Sequence, residues 1–86
     1  MLYYVYLIKT VNSSTKKTYV GYTNNLIKRL KLHNSNKGAK STRGFKWSVI
    51  YKKKFLSKSA AMIFEYKLKK NRSLRKKIIL KSKISQ

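Results

Sequence analysis

The chain has 86 residues, enough for one small domain and too few for two. It carries 23 Lys and Arg against one acidic residue, a formal charge of +22, with no Cys and no Pro. No disulfide framework or Cys-ligated zinc site is available, and 42% hydrophobic with 13% aromatic residues is too apolar for a disordered basic tail.

Residues 2–9 (LYYVYLIK) are rich in Tyr, Val and Ile and read as a first strand. Polar turn material follows at 11–16, then a second β-prone run, KTYVGY, at 17–22. The two predict a hairpin. A turn centred near Asn12 and Ser13 puts Tyr6 opposite or diagonal to Tyr19, with both side chains on one face. Thr23, Asn24 and Asn25 offer N-caps for a helix over 26–34, LIKRLKLHN. Leu26 and Leu30 form its stripe, Arg29 and His33 border that stripe one turn apart, and Lys28 and Lys31 point to solvent. Residues 35–46 read as a Gly-, Ser- and Lys-containing loop. A third strand follows at 47–55, with Trp47, Val49 and Tyr51 on one side. Ser57 or Ser59 caps a helix over 60–70 whose apolar stripe is Ala61, Phe64 and Leu68. A short basic helix at 74–81 packs through Leu74 and Ile78. The expected class is α/β: a small three-stranded antiparallel sheet flanked by helices, in the order β-β-α-β-α-α.

A charge of +22 on so short a chain repels itself in the compact state and attracts polyanions. AT-rich coding would supply Lys, Asn, Ile and Tyr, but equally Glu and Asp. The scarcity of acids is therefore a property of the protein, and nucleic acid is the partner it suits best. On charge alone, a ribosome-associated or chromatin-like protein is also consistent. No apolar run approaches the ~20 residues of a spanning helix. The first ten residues lack the basic region and small-residue cleavage site of a signal peptide. No membrane association and a cytoplasmic location are expected, with an organellar one left open.

Glu65 is the lone acid. On the 60–70 helix it falls between Ala61 and Leu68, near the middle of the apolar stripe, where an unpaired carboxylate is costly. It either pairs with Lys69 one turn on or holds a cation. One carboxylate with a phosphate oxygen and waters suits Mg²⁺ and is too few ligands for zinc. Tyr6, Tyr19, Arg29 and His33 lie on elements that should meet it. Singly, they read as packing tyrosines, one basic residue among many and a structural histidine. Together with Glu65 they supply what phosphodiester cleavage requires: a proton acceptor, a guanidinium for developing phosphate charge and a metal-binding carboxylate.

These pieces resemble the GIY-YIG endonuclease domain. The first signature half stands as Tyr4-Val5-Tyr6, with Tyr for the usual Gly and Val for Ile, and the second as Tyr19-Val20-Gly21. Arg29 and His33 match the Arg-x-x-x-His helix motif. HNSNKGAKSTRG at 33–44 is similar to the His-Asn, Gly-Ala-Lys and Thr-Arg-Gly segment of the small single-domain, URI-type members. KSAAMIFEYKLKKN at 58–71 is similar to their second helix, with Glu65 at the metal position and Asn71 at its end. Ile63-Phe64 depart from it, standing where small members often carry polar or basic residues.

The resemblance implies a GIY-YIG nuclease domain over 1–77, with 78–86 as a basic C-terminal tail or the end of the last helix. It implies water-activating and phosphate-orienting positions at Tyr6 and Tyr19. Arg29 would stabilise the pentacovalent phosphorane, and His33 would be a base or proton relay. Glu65 would hold one divalent metal, Mg²⁺ or alternatively Mn²⁺, and Gly21 and Asn71 would be supporting residues. The implied reaction is one-metal, in-line hydrolysis of DNA leaving a 5′-phosphate and a 3′-hydroxyl, in DNA repair or the processing of branched or damaged DNA. DNA contacts are expected through the phosphate backbone with low sequence specificity, by a monomer. Lys37, Lys40, Arg43 and Lys46 are expected to make them, because their loop follows the His33 end of the helix. The alternative is a non-catalytic basic nucleic-acid-binding module of the same fold, which would have no use for the lone acid.

Overall fold

β1 (Tyr3–Val11) is the centre of a three-stranded antiparallel sheet of order β2-β1-β3, with β2 at Thr18–Thr23 and β3 at Lys46–Phe55. The computed structural model describes residues 1–84, so the last two residues of the 78–86 segment lie outside the described residues. Residues 5–8 of β1 are all buried, as expected of a strand covered on both faces. Val5 and Leu7 join Val20, Ala61 and Leu68 in an apolar cluster on one face. Tyr6 and Ile8 pack with Trp47, Leu26 and Leu30 on the other. α1 (Leu26–Asn34) covers this second face, and α2 (Lys58–Lys70) and α3 (Arg72–Ile84) cover the first. The element order is the one expected from the sequence.

Local chemistry fixes the element ends. Asn12 carries the hairpin through φ 53°, a left-handed conformation that Asn tolerates. Of the candidate caps, Asn25 and Ser57 are used. Asn25 Oδ1 accepts from the Lys28 amide at 3.1 Å and Ser57 Oγ from the Ala60 amide at 3.1 Å. Asn71 caps α3 by accepting from the Leu74 amide at 3.0 Å. α3 runs without a break across residue 78, from Arg72 to Ile84.

One expectation about side-chain direction is overturned. Leu7 pairs with Tyr51 but Ile8 pairs with Val49, so Ile50 is an extra residue in β3. This β-bulge breaks the period-two alternation. Trp47 and Val49 share one side as expected, the side under α1, while Tyr51 joins the opposite cluster with Phe55 and Phe64.

Candidate active site

The hairpin register places Tyr6 opposite Gly21, with Tyr19 two residues further along β2. The two tyrosines are therefore diagonal neighbours, their ring centroids 6.4 Å apart. Gly21 is needed here for space. A Cβ at that position would lie 2.6 Å from Tyr6 Cζ and closer still to its hydroxyl. The missing side chain lets the Tyr6 ring lie across β2.

α1 delivers Arg29 and His33 from consecutive turns. His33 is 1% exposed and sits behind Tyr6, with Nε2 2.8 Å from the Tyr6 hydroxyl. Its ring centroid is 5.8 Å from that of Tyr6 and 5.1 Å from that of Tyr19. On its far side Nδ1 lies 2.9 Å from Thr42 Oγ1. Thr42 is fully buried, on a single 3-10 turn at Lys40–Thr42 within the loop that joins α1 to β3.

A polar cleft of about 380 Å³ opens in front of this group. Tyr6 (β1), Tyr19 (β2), Arg29 (α1) and Glu65 (α2) all line it, so four elements converge on one surface. Lys58 and Tyr22 line it too. Neither was singled out from the sequence, although Lys58 could have been: it precedes Glu65 by two helical turns and so shares its face. Lys58 is the first residue of α2, whose first turn holds no acid. A cation there opposes the helix dipole at a cost of about 0.3–1 kcal/mol.

The remaining expected residues lie elsewhere. Lys37, Lys40 and Arg43 are exposed on the loop after α1 and Lys46 is exposed at the start of β3, not in the loop where the sequence put it, and none of the four lines the cleft. Lys46 Nζ donates to the Asn34 carbonyl at 2.8 Å. Asn71, away from the cleft, is a helix cap.

The electrostatics are lopsided. Burial first, then the neighbouring Tyr19, pushes the Tyr6 phenol far above its ordinary value, with Arg29 pulling the other way. Burial, then Arg29, holds His33 below the ordinary histidine value. Tyr6 thus resists ionisation, while His33 is neutral near pH 7 and keeps one ring nitrogen free to accept a hydrogen.

Glu65 faces the cleft with its side chain 16% exposed, and its Oε2 lies 3.4 Å from Lys69 Nζ. The expected Lys69 pair is present, and it leaves the carboxylate facing the cleft. A pair of this kind, with Lys69 about half exposed, is worth about 0.2–1 kcal/mol, so a divalent cation would displace Lys69 at little cost. Among the described residues no group of three or more His, Cys, Asp or Glu is gathered. One carboxylate beside phenol oxygens in an open polar cleft fits a hard cation that keeps most of its waters, and suits Mg²⁺ better than a caged metal.

A polar cleft ringed by phenols, a guanidinium and a carboxylate, in a protein of charge +22, defines a small domain for an anionic substrate. The chain belongs to the GIY-YIG family, a family of nucleases: the GIY-YIG catalytic domain matches residues 2–78. It is similar to a UPF0213 protein of Oceanobacillus iheyensis, 48% identical over 68 residues, which span 78% of this chain and 76% of that one. A UPF0213 protein of Staphylococcus haemolyticus is 43% identical over 68 residues, 78% of this chain and 79% of the relative. The solution NMR structure of a UPF0213 protein from Bacillus halodurans shares 36% identity over 92% of this chain and 83% of that one, with a TM-score of 0.48. Nucleases of this family act on nucleic acid and generally depend on a divalent metal. Among the described residues no helix is long and apolar enough to cross a membrane.

Proposed function

We propose that this protein is a metal-dependent DNA endonuclease that hydrolyses phosphodiester bonds in branched or damaged DNA. One observation carries the reading. Two phenols, a guanidinium and the only carboxylate side chain of the protein, from four different elements, line a single cleft, with a buried imidazole bonded to one of the phenols.

Arg29 binds two oxygens of the scissile phosphate through its planar fork and meets the charge that grows on them during attack. Lys58 adds a second positive contact at the cleft wall. The Tyr19 hydroxyl orients the phosphate. The Tyr6 hydroxyl holds the attacking water, and its hydrogen bond to His33 gives that water's proton a path into the protein. Water oxygen forms the new bond to phosphorus, the 3′ oxygen leaves and takes a proton from solvent, and the products carry a 5′-phosphate and a 3′-hydroxyl. Glu65 is the residue that would hold a divalent cation, which when bound supplies positive charge for the phosphate oxygens. Lys37, Lys40, Arg43 and Lys46 extend the positive surface beyond the cleft, to phosphates on either side of the one cut.

Supercoiled plasmid incubated with Mg²⁺ is expected to be nicked, and EDTA is expected to stop it. Glu65→Gln is expected to abolish nicking, keep or strengthen DNA binding, and move stability by no more than about 1 kcal/mol, since it removes only the Lys69 pair. The ion pair with Lys69 favours a second reading, a non-catalytic binding module. DNA binding without nicking under any divalent metal would select that module.

A further inference from the structure

We infer that Thr42 is a positioning residue that sets the tautomer of His33 and with it the direction in which a proton leaves Tyr6. Its consequence for cleavage rests on the nuclease reading; the tautomer rests on geometry alone. A threonine hydroxyl has one hydrogen. Thr42 Oγ1 donates that hydrogen to the Ala39 carbonyl at 2.8 Å. Toward His33 Nδ1, 2.9 Å away, it has only lone pairs. Two lone pairs at that distance repel, so Nδ1 carries the hydrogen and Thr42 accepts it. A neutral imidazole has one N–H, so Nε2 is bare. Tyr6 Oη, 2.8 Å from Nε2, is then the donor.

The buried chain therefore runs in one direction. Tyr6 donates to His33, His33 donates to Thr42, and Thr42 donates to a backbone carbonyl. Every hydrogen points away from the cleft. When Tyr6 takes a proton from the attacking water, its own proton passes to Nε2. One proton enters the phenol and one leaves it, so no phenolate forms where burial opposes it. The imidazolium that results keeps its Nδ1–H on Thr42, and returns the extra proton through Tyr6 once the products leave. The charged and titratable groups around His33 are Tyr6 on β1, Tyr19 on β2 and Arg29 on α1 itself.

The loop is shaped to hold this hydroxyl. The Trp47 indole N–H donates to the Thr42 carbonyl at 2.9 Å. Gly38 leaves room for the ring, since a Cβ there would lie 2.9 Å from both Cγ and Cε1 of His33. A turn that reads in sequence as basic and solvent-facing is anchored by its one buried threonine.

The protein has a single histidine, so its ring nitrogens can be read without assignment. Long-range ¹H–¹⁵N spectra at pH 7.5 are expected to show a protonated Nδ1 and a bare Nε2 in the wild type and in Thr42→Ser. Thr42→Val keeps the shape and removes the acceptor. It is expected to move the hydrogen to Nε2 and slow cleavage by on the order of 10- to 100-fold, as loss of an outer partner of a functional histidine does, while Thr42→Ser cleaves near the wild-type rate. A wild type with its hydrogen on Nε2 overturns the inference, whether or not the valine variant folds. So does a Thr42→Val protein with the wild-type tautomer and rate. A wild type with the expected tautomer that never nicks DNA upholds Thr42's hold on His33 and removes the nuclease reading instead.

Discussion

The two faces of the sheet are built from different materials. Under α2 and α3 the buried cluster is Val5, Leu7, Val20, Ala61 and Leu68, with no polar group among them. Under α1, Tyr6, Ile8 and Trp47 share the interior with buried His33 and Thr42, whose polar atoms bond to one another and to backbone. Apolar contacts tolerate small shifts, whereas a buried polar chain works only if every member finds its partner. Among the described residues no buried side-chain nitrogen or oxygen lacks one. The buried cluster under α2 and α3 thus supplies stability without specific chemistry, while the exposed edge of α2 carries Glu65 and Lys58 to the cleft. The face under α1 accepts the cost of buried polar groups to place Tyr6 and His33 against that cleft. Substitutions on the two faces should separate these roles.

The largest expected effect falls on the apolar face. Leu68→Ala removes a fully buried side chain between α2 and the sheet, and should cost about 2–5 kcal/mol. For a domain of this size that lowers the thermal midpoint by roughly 4–8 °C per kcal/mol. The rate of cleavage per folded molecule, measured well below the midpoint, should be unchanged. A slower rate in fully folded protein would show that Leu68 packing also sets where α2 holds Glu65 in the cleft.

Arg29→Ala should do the converse. One electrostatic stabiliser of a transition state is worth about 2.7–4 kcal/mol, or 10²–10³ in rate. Arg29 is half-buried at the cleft rim, with no acidic partner among the described residues, so the thermal midpoint should hold. Arg29→Lys should recover only part of the rate, because lysine lacks the planar fork. Full activity in the lysine variant would reduce Arg29 to a generic charge.

The apolar face is the easier of the two to read in the sequence. Val5, Leu7, Ala61 and Leu68 announce themselves by period two and by helical spacing, and burial follows pattern. The polar face is readable only in part. Tyr6, Tyr19, Arg29, His33 and Glu65 stand out by type and spacing, and the register that makes Tyr6 and Tyr19 diagonal follows from the turn. Period two puts Tyr51 on the wrong side, because a bulge at Ile50 leaves no mark in residue type. Thr42 escapes a sequence reading for another reason. Its burial depends on Trp47 reaching back over the loop and on Asn34, which accepts from the Trp47 amide at 2.6 Å and so fixes where β3 begins. Those are tertiary contacts, and a small polar residue between Ser41 and Arg43 shows no sign of them.

The loop itself offers a smaller test of the contrast. It buries Thr42 but leaves Lys37 and Lys40 in solvent. Replacing both lysines with Ala should leave stability and the His33 spectrum untouched and weaken DNA binding about equally for all sequences. The slope of log K against log salt should shrink by roughly 0.9 for each phosphate that is no longer neutralised. An unchanged slope would remove these two lysines from the interface.

The smallest effect is the most selective, because composition isolates it. The chain has one histidine and one acidic side chain, so little besides His33 titrates between pH 7.5 and 5. Burial holds the folded His33 below its ordinary value of 6.5. In that window the unfolded chain takes a proton that the folded chain refuses. Stability is therefore full above about pH 6.5 and falls as the pH drops toward the folded value, by at most about 1.4 kcal/mol per pH unit. The alkaline side runs the opposite way for Tyr6. Its raised value keeps the folded phenol protonated above pH 10, where the unfolded chain releases that proton, so stability falls as the pH rises. The acid limb, set by the single histidine, is the one to measure. Urea midpoints at pH 7.5, 6 and 5 should decline in the wild type and stay level in His33→Gln, whose amide is short enough to sit between Tyr6 and Thr42. A level wild-type curve would mean that His33 takes its proton in the folded state as easily as in water, and the polar face would then not be the dry, directional chain that sets it apart from the apolar one.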